Sequence, residues 1–239
     1  MTRLLDKVAV VTGASKGIGF EICKVLAEES ARIVMMARGA DDLDASAETI
    51  AAMGGRVIAV AGDVGAAADC ARAIDAARRE FGGLDILVNN AGIGCFEEVE
   101  RMTDNDFDAV MKTNLYGVFY MCRAAIPPMI ERGGGYIVNI SSLAGQNTFP
   151  RGAAYCASKH ALNGFSECLM QEVRHRNIAV SCVCPGSVAT EFGHNKPADN
   201  DSWRQSPRDV ARVVRDLIVG ASPRTLVSKV EMRPMKPRK

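Results

Sequence analysis

Long apolar runs are missing from this chain: nowhere in its 239 residues is there a stretch able to span a bilayer. Asp6 and Lys7 interrupt the first apolar residues, so no signal-peptide core is expected there. A surplus of one charge is missing too. Lys and Arg number 29 against 28 Asp and Glu, which gives no reason to expect nucleic acid, and the basic end "RPMKPRK" reads as a solvated tail. Paired C-x-x-C sets are absent among the eight cysteines, so no metal site is expected. The thiols read as buried and reduced, with Cys182 and Cys184 on one face of a strand as packing. A soluble, cytoplasmic protein is the expectation these absences leave.

What the chain does contain is a regular alternation. Short β-branched runs occur at Val8 to Val11, Arg32 to Ala37, Arg56 to Ala61, Leu84 to Asn89, Tyr136 to Ser141, Ile178 to Val183 and Leu226 to Met232. Amphipathic stretches such as "GFEICKVLAEES" and "DDLDASAETIAAM" separate them. Several runs are apolar on both faces, as parallel strands covered by helices must be. The pattern predicts an α/β fold with a Rossmann-like, doubly wound parallel sheet of about seven strands and right-handed crossovers. No linker or low-complexity segment divides the chain, so residues 1–239 are expected to form a single domain. Residues 187–206, rich in Asn, Asp, Pro and Gly, are the longest stretch without periodicity and are expected to cover a substrate.

Ligands of such sheets bind beyond the carboxyl ends of the strands. After the first strand comes "TGASKGIG", Thr12 to Gly19. Gly13-Ala14-Ser15-Lys16-Gly17 literally matches the G-x-S-x-G nucleophile elbow, which would mean a hydrolase. That elbow needs an oxyanion donor from an earlier strand–helix loop, however, and none precedes it here; His160, His175 and His194 have no acid partner that the sequence identifies. The other reading uses Gly13, Gly17 and Gly19, whose backbone freedom allows a sharp turn and close approach to a pyrophosphate met by the amides of the next helix. After the second strand, where an acidic residue would hold a free ribose 2′-hydroxyl, stand Ala37 and Arg38. Arg38 and Lys16 are suited to a 2′-phosphate, with two solvated cations as the alternative; NADP(H) is therefore expected over NAD(H).

Four signals in order, each just after a strand, resemble the short-chain dehydrogenase/reductase family along nearly the whole chain: "TGASKGIG", "NNAG" (Asn89 to Gly92), "NISS" with "YCASK", and "PGSVAT" (Pro185 to Thr190). The resemblance implies that Gly13, Ser15, Lys16, Gly17, Ile18 and Gly19 form the cofactor turn. It implies further cofactor contacts at Asp63 and Val64, at Asn90, Ala91 and Gly92, and at Pro185, Gly186, Val188 and Thr190. The catalytic set it carries over is Asn114, Ser142, Tyr155 and Lys159, with Tyr155 and Lys159 also touching the cofactor. Alternation along the strand sends Ser141 and Ser142 to opposite sides, and the family's spacing to the tyrosine selects Ser142.

The implied activity is hydride transfer between a nicotinamide and a small carbonyl or secondary alcohol. Tyr155 would be the acid/base, Lys159 would lower its pKa and bind the nicotinamide ribose, Ser142 would polarise the carbonyl, and Asn114 would position a water. A 3-oxoacyl carrier-protein reductase is one specific form, in which Arg174 to Arg176 would greet the carrier, though the closing "LVSKVEMRPMKPRK" departs from that subgroup. A non-catalytic NADP(H)-binding protein is the alternative from another class. Leu143, Gln146, Phe149, Phe192 and Trp203 are candidate substrate contacts. The resemblance also implies a homo-oligomer, a tetramer built through the helices around Asp106 to Met129 and Ala154 to His175.

Overall fold

The computed structural model describes residues 3–192 and 202–236. Seven parallel strands form one sheet in the order β3-β2-β1-β4-β5-β6-β7. They are β1 (Val8–Thr12), β2 (Arg32–Ala37), β3 (Arg56–Ala61), β4 (Ile86–Asn89), β5 (Gly135–Ile140), β6 (Ile178–Pro185) and β7 (Lys229–Met232). The helices are α1 (Gly17–Glu28), α2 (Ala40–Ala52), α3 (Ala67–Phe81), α4 (Asp104–Met111), α5 (Gly117–Glu131), α6 (Ala153–Val173) and α7 (Pro207–Val219). Among the described residues no helix is long and apolar enough to cross a membrane.

Strand alternation divides the buried side chains into two cores. Ala9, Val11, Ile33, Met35 and Val138 point to one face and pack with Ile22 and Leu26 of α1, Leu43 and Ile50 of α2, and Val210 and Val214 of α7. Val8, Val10, Val34, Met36 and Ile137 point to the other, against Ile74 of α3, Met121 and Ala125 of α5, and Leu162 and Leu169 of α6. Burial on both faces explains why these strands are almost uniformly apolar.

Two strands begin later than the sequence pattern predicts. The fourth starts at Ile86, with Asp85 as an anchor at its foot: its buried carboxylate accepts from Lys7 Nζ (3.0 Å), the Val8 amide (3.0 Å) and Arg132 Nη2 (3.0 Å). The seventh starts at Lys229 rather than Leu226, because the preceding chain closes a turn with a bridge between Ser222 and Thr225. The expected loop 187–206 falls partly outside the described residues: its ends are seen, whereas 193–201, which include His194, are not described.

The strand order reverses direction between β1 and β4, each of which continues the sheet to one side. A crevice opens at such a point beyond the strand ends, and the glycine turn after β1, the segment after β4 and the segment after β5 all border it.

Candidate active site

The glycine turn is held in place by β4. Asn90 Nδ2 donates to Thr12 O (2.9 Å) and Gly13 O (3.1 Å), while Thr12 Oγ1 accepts from the amides of Asn90 and Ala91 (both 3.0 Å). Thr12, which the sequence reading passed over, is thus the stitch between the two sides of the crevice. Gly13 has φ +61°, and a Cβ there would lie 2.8 Å from Ala91 Cα. At Gly19 a Cβ would stand 2.2 Å from Gly13 O, so neither position admits a side chain.

Lys16 caps α1 without a side-chain hydrogen bond to the first turn. The early amides of the helix are therefore available to an anion, and the turn fits a pyrophosphate. Gly17, at φ +59°, faces Thr190 across the crevice, a Cβ there lying 3.5 Å from Thr190 Cγ2. Ile18 packs toward the core on the α1 side, and Ser15 O accepts from Ser46 Oγ (2.7 Å). Arg38 is exposed just past β2 and has no ion pair or hydrogen bond among the described residues. Lys16, expected beside it, instead pairs with Glu191 (3.1 Å) and ties the glycine turn to the segment after β6. Both members of that pair are exposed, so the tie is weak and Lys16 is free to exchange partners.

Asp63 Oδ1 accepts from the Gly65 amide (2.8 Å), shaping the turn after β3. Val64 is buried, and a Cβ on Gly117 would come 2.9 Å from Val64 Cγ2. After β6, the Gly186 amide bonds Met232 O (2.8 Å), Val188 pairs with Gln205, and the Thr190 amide bonds Val188 O (2.9 Å). These contacts present Pro185, Gly186, Val188 and Thr190 as one folded rim facing Gly17.

The acid/base residues meet at the ends of β5 and α6. Ser141 and Ser142 do diverge: Ser141 Oγ donates to Asn163 Oδ1 (2.6 Å) in the interior, while the Ser142 hydroxyl accepts from the Ala144 amide (3.1 Å) and lies on the Tyr155 side, where it lowers the phenol's pKa. Lys159 lies one helical turn from Tyr155 with its residue only 4% exposed. Its Nζ donates to Ile140 O (2.9 Å) and sits 5.9 Å from the Tyr155 ring centroid.

Burial pushes the Tyr155 phenol up to about 12, with the Ser142 hydroxyl pulling it partway back. Burial lowers the Lys159 ammonium to about 8, with Cys182 and Cys184 opposing the fall. Desolvation by the rings around Tyr155 outweighs a cation directed at a backbone carbonyl rather than at the phenol oxygen. The tyrosine is therefore held as a protonated acid.

Asn114 lies in a π-helical turn, Lys112–Tyr116, between α4 and α5. Its Oδ1 accepts from the Ile93 amide (2.9 Å) and its Nδ2 donates to Ile93 O (2.9 Å) and Ser158 Oγ (3.0 Å). With both donors used, the side chain clamps the post-β4 segment to α6 and keeps at most one lone pair for a water. Ser158 completes the chain by donating to Tyr155 O (2.7 Å).

Phe192 packs on Tyr155, as does Phe96, for which the sequence held no signal. Phe149 reaches the cluster through Phe96. Leu143 borders Gly186, Gln146 lies near Cys184, and Trp203 carries Arg204 over its ring. Cys182 and Cys184 share a strand face with their sulfurs 3.9 Å apart, and no cluster of three or more metal-ligating side chains occurs among the described residues.

A phosphate-receptive glycine turn at the sheet's reversal and a buried serine–tyrosine–lysine group beside it define a nucleotide-dependent oxidoreductase fold and site. The chain belongs to the short chain dehydrogenase family, whose model matches residues 7–201. It is 40% identical over 192 residues to the D-threitol dehydrogenase of Mycolicibacterium smegmatis, covering 80% of this chain and 74% of that one. It is 36% identical over 190 residues to a 3-oxoacyl-[acyl-carrier-protein] reductase of Chlamydia trachomatis, covering 79% of this chain and 77% of that one. Among solved structures, a metagenomic short-chain oxidoreductase in complex with NADP superposes with a TM-score of 0.85 at 37% identity, covering 98% of this chain and 100% of that chain.

Proposed function

We propose that this protein is an NADP(H)-dependent oxidoreductase that interconverts a carbonyl and a secondary alcohol, with Tyr155 as the acid/base. The observation that carries the reading is the grouping of Ser142, Tyr155 and the buried Lys159 at the ends of β5 and α6, with Lys159 Nζ 5.9 Å from the Tyr155 ring centroid. The nicotinamide dinucleotide, when bound, supplies or accepts the hydride. Gly13 to Gly19, Asn90 to Gly92 and Pro185 to Thr190 would hold it, with Asp63 and Val64 bordering its adenine side. Exposed Arg38 would meet a 2′-phosphate, and the NADP complex of a relative supports that preference.

Each remaining task falls to a side chain of this chain. Ser142 hydrogen-bonds the substrate oxygen and orients it toward the phenol. Tyr155, protonated at neutral pH because its pKa stands at about 12, delivers its proton to that oxygen as negative charge develops there. Lys159 keeps a positive charge close behind, and Asn114 with Ser158 holds the helix turn that aims both residues. Residues 187–192 border the substrate side, an assignment supported by Phe192 against Tyr155. Self-association is part of the proposal, supported by Tyr116 and Phe119, which leave 52% and 39% of their surface exposed on and beside α5.

The test is consumption of NADPH by the purified protein across ketones, diketones, sugars and acetoacetyl thioesters. Turnover of at least one carbonyl, faster with NADPH than NADH, is expected. Tight NADPH binding with no turnover of any carbonyl or alcohol would replace the enzyme with a binding protein.

A further inference from the structure

Aromatic residues make up only 5% of this chain, yet two of its eight phenylalanines, Phe96 and Phe192, pack on Tyr155 and a third, Phe149, joins them through Phe96. Each comes from the segment after a different strand: Phe96 after β4, Phe149 after β5 and Phe192 after β6. Phe96 meets Tyr155 edge-on, with ring centroids 5.6 Å apart and planes at 68°. Phe192 tilts against Tyr155 at 5.4 Å, and Phe96 lies 6.0 Å from Phe149 and 6.3 Å from Phe192. All four separations fall where offset and edge-to-face rings attract.

The backbone is shaped to hold this cluster. A Cβ on Gly94 would stand 2.7 Å from Phe96 Cζ and 3.0 Å from Phe192 Cε1, and one on Gly152 would stand 2.6 Å from Phe149 Cε2. The rings therefore lie directly on the chain at two glycines, as larger residues would not permit. Arg151 fixes the segment further: its Nη2 donates to Phe96 O (3.0 Å) and pairs with Glu97 (3.6 Å).

Two of the rings still face solvent, Phe149 with 43% and Phe192 with 37% of its surface exposed. A substrate whose oxygen reaches the Tyr155 hydroxyl must lay the groups on its reacting carbon beside these rings. Apolar, flat groups would cover them and be covered; hydroxyls or charges would lose water there against ring faces that return no hydrogen bond.

The geometry points to a substrate carrying an aryl or similarly flat apolar group on the reacting carbonyl carbon, with Phe96, Phe149 and Phe192 as the residues that select it. This substrate class rests on the oxidoreductase reading above and narrows it. Reduction adds one hydride, from the reduced dinucleotide, to the aryl carbonyl carbon and one proton, from Tyr155, to its oxygen. The products are the secondary alcohol and the oxidised dinucleotide. The same walls disfavour a polyol such as the one named for the mycobacterial relative.

The experiment compares kcat/KM of the full-length enzyme for acetophenone, butan-2-one and acetoacetyl-CoA with NADPH, and for D-threitol with NADP. Acetophenone is expected to exceed butan-2-one by about 10- to 100-fold, as burial of one ring against apolar walls allows. Phe96→Ala and Phe149→Ala should each lower the acetophenone-to-butan-2-one ratio at least about fivefold, mainly through KM. Phe149 is partly exposed and its truncation opens no sealed cavity, so that variant serves if Phe96→Ala does not fold. A ratio near one in wild type, or a ratio unchanged in the folded variants, overturns the inference while leaving the oxidoreductase reading intact. Calorimetric titration of 1-phenylethanol into protein holding NADP separates the two failures. If nothing is turned over, the oxidoreductase reading fails; binding that Phe149→Ala weakens then supports the aromatic site, and absence of binding overturns it.

Discussion

Replacing Lys159 with Met should decouple stability from alkaline pH. The wild-type ammonium is buried with one hydrogen bond, 2.9 Å to Ile140 O, and burial lowers its pKa from 10.5 to about 8. A difference of that size corresponds to about 3 kcal/mol between the charged and neutral forms. Between pH 8 and 10.5 the unfolded chain keeps the proton that the folded chain has released, so Lys159 makes wild-type stability rise with pH through that window. The contribution is full above the unfolded pKa and lost as pH falls through the folded one. Lys159→Met keeps an unbranched apolar stem and removes the slope, at a pH-independent cost of about 1–3 kcal/mol for the undonated Ile140 carbonyl. At pH 7 the two effects nearly cancel and the melting temperatures should lie close together. By pH 10 wild type should lead by several degrees, at about 2–4 °C per kcal/mol for a chain of this size. Scanning calorimetry of both proteins from pH 6.5 to 10 measures this, groups away from Lys159 cancelling in the difference; Cys182 and Cys184, which face the ammonium, are replaced by Ser in a parallel pair. Parallel profiles for wild type and variant would refute the buried, pKa-lowered ammonium.

Gly13→Ala must place a Cβ 2.8 Å from Ala91 Cα at φ +61°. Left-handed strain and overpacking together should cost about 2–4 kcal/mol, or about 5–15 °C in thermal unfolding, and an unchanged melting temperature would contradict the packed turn. Arg38→Ala should raise the KM for NADPH at least about tenfold while changing that for NADH less than about threefold. Equal effects on both cofactors, or a wild type that prefers NADH, would remove Arg38 from the 2′-phosphate.

Periodicity made the sheet legible because strands buried on both faces leave little room for polar residues, as β1, β2, β4, β5 and β6 show, whereas β7 exposes Lys229 and Glu231. Two starts were not legible, those of β4 and β7: the role of Asp85 rests on partners as distant in sequence as Val8, and the turn before β7 is closed by a bridge between Ser222 and Thr225. In the site, motif spacing located Ser142, Tyr155, Lys159 and the glycine turn. It said nothing of Thr12, whose stitch spans 78 residues to Asn90, or of Phe96 in a segment without periodicity. The surroundings of the Tyr155 phenol are illegible for the same reason: residues 155 and 159 lie close on one helix, whereas Phe96, Phe192 and Ser142 reach it from the segments after β4, β6 and β5. Asn114 shows the complementary case. Its presence was readable but its bonds to Ile93 and Ser158 depend on a π turn that composition does not announce.

The central claim is that the Tyr155 hydroxyl carries the proton. Tyr155→Phe removes that single oxygen and keeps the ring that packs on Phe96 and Phe192. Steady-state turnover of the best carbonyl substrate, measured beside NADPH affinity on the same preparation, tests it most directly. The account predicts a fall in kcat of at least about 100-fold with NADPH affinity within about threefold of wild type. Turnover above about a tenth of wild type in folded Tyr155→Phe would contradict it.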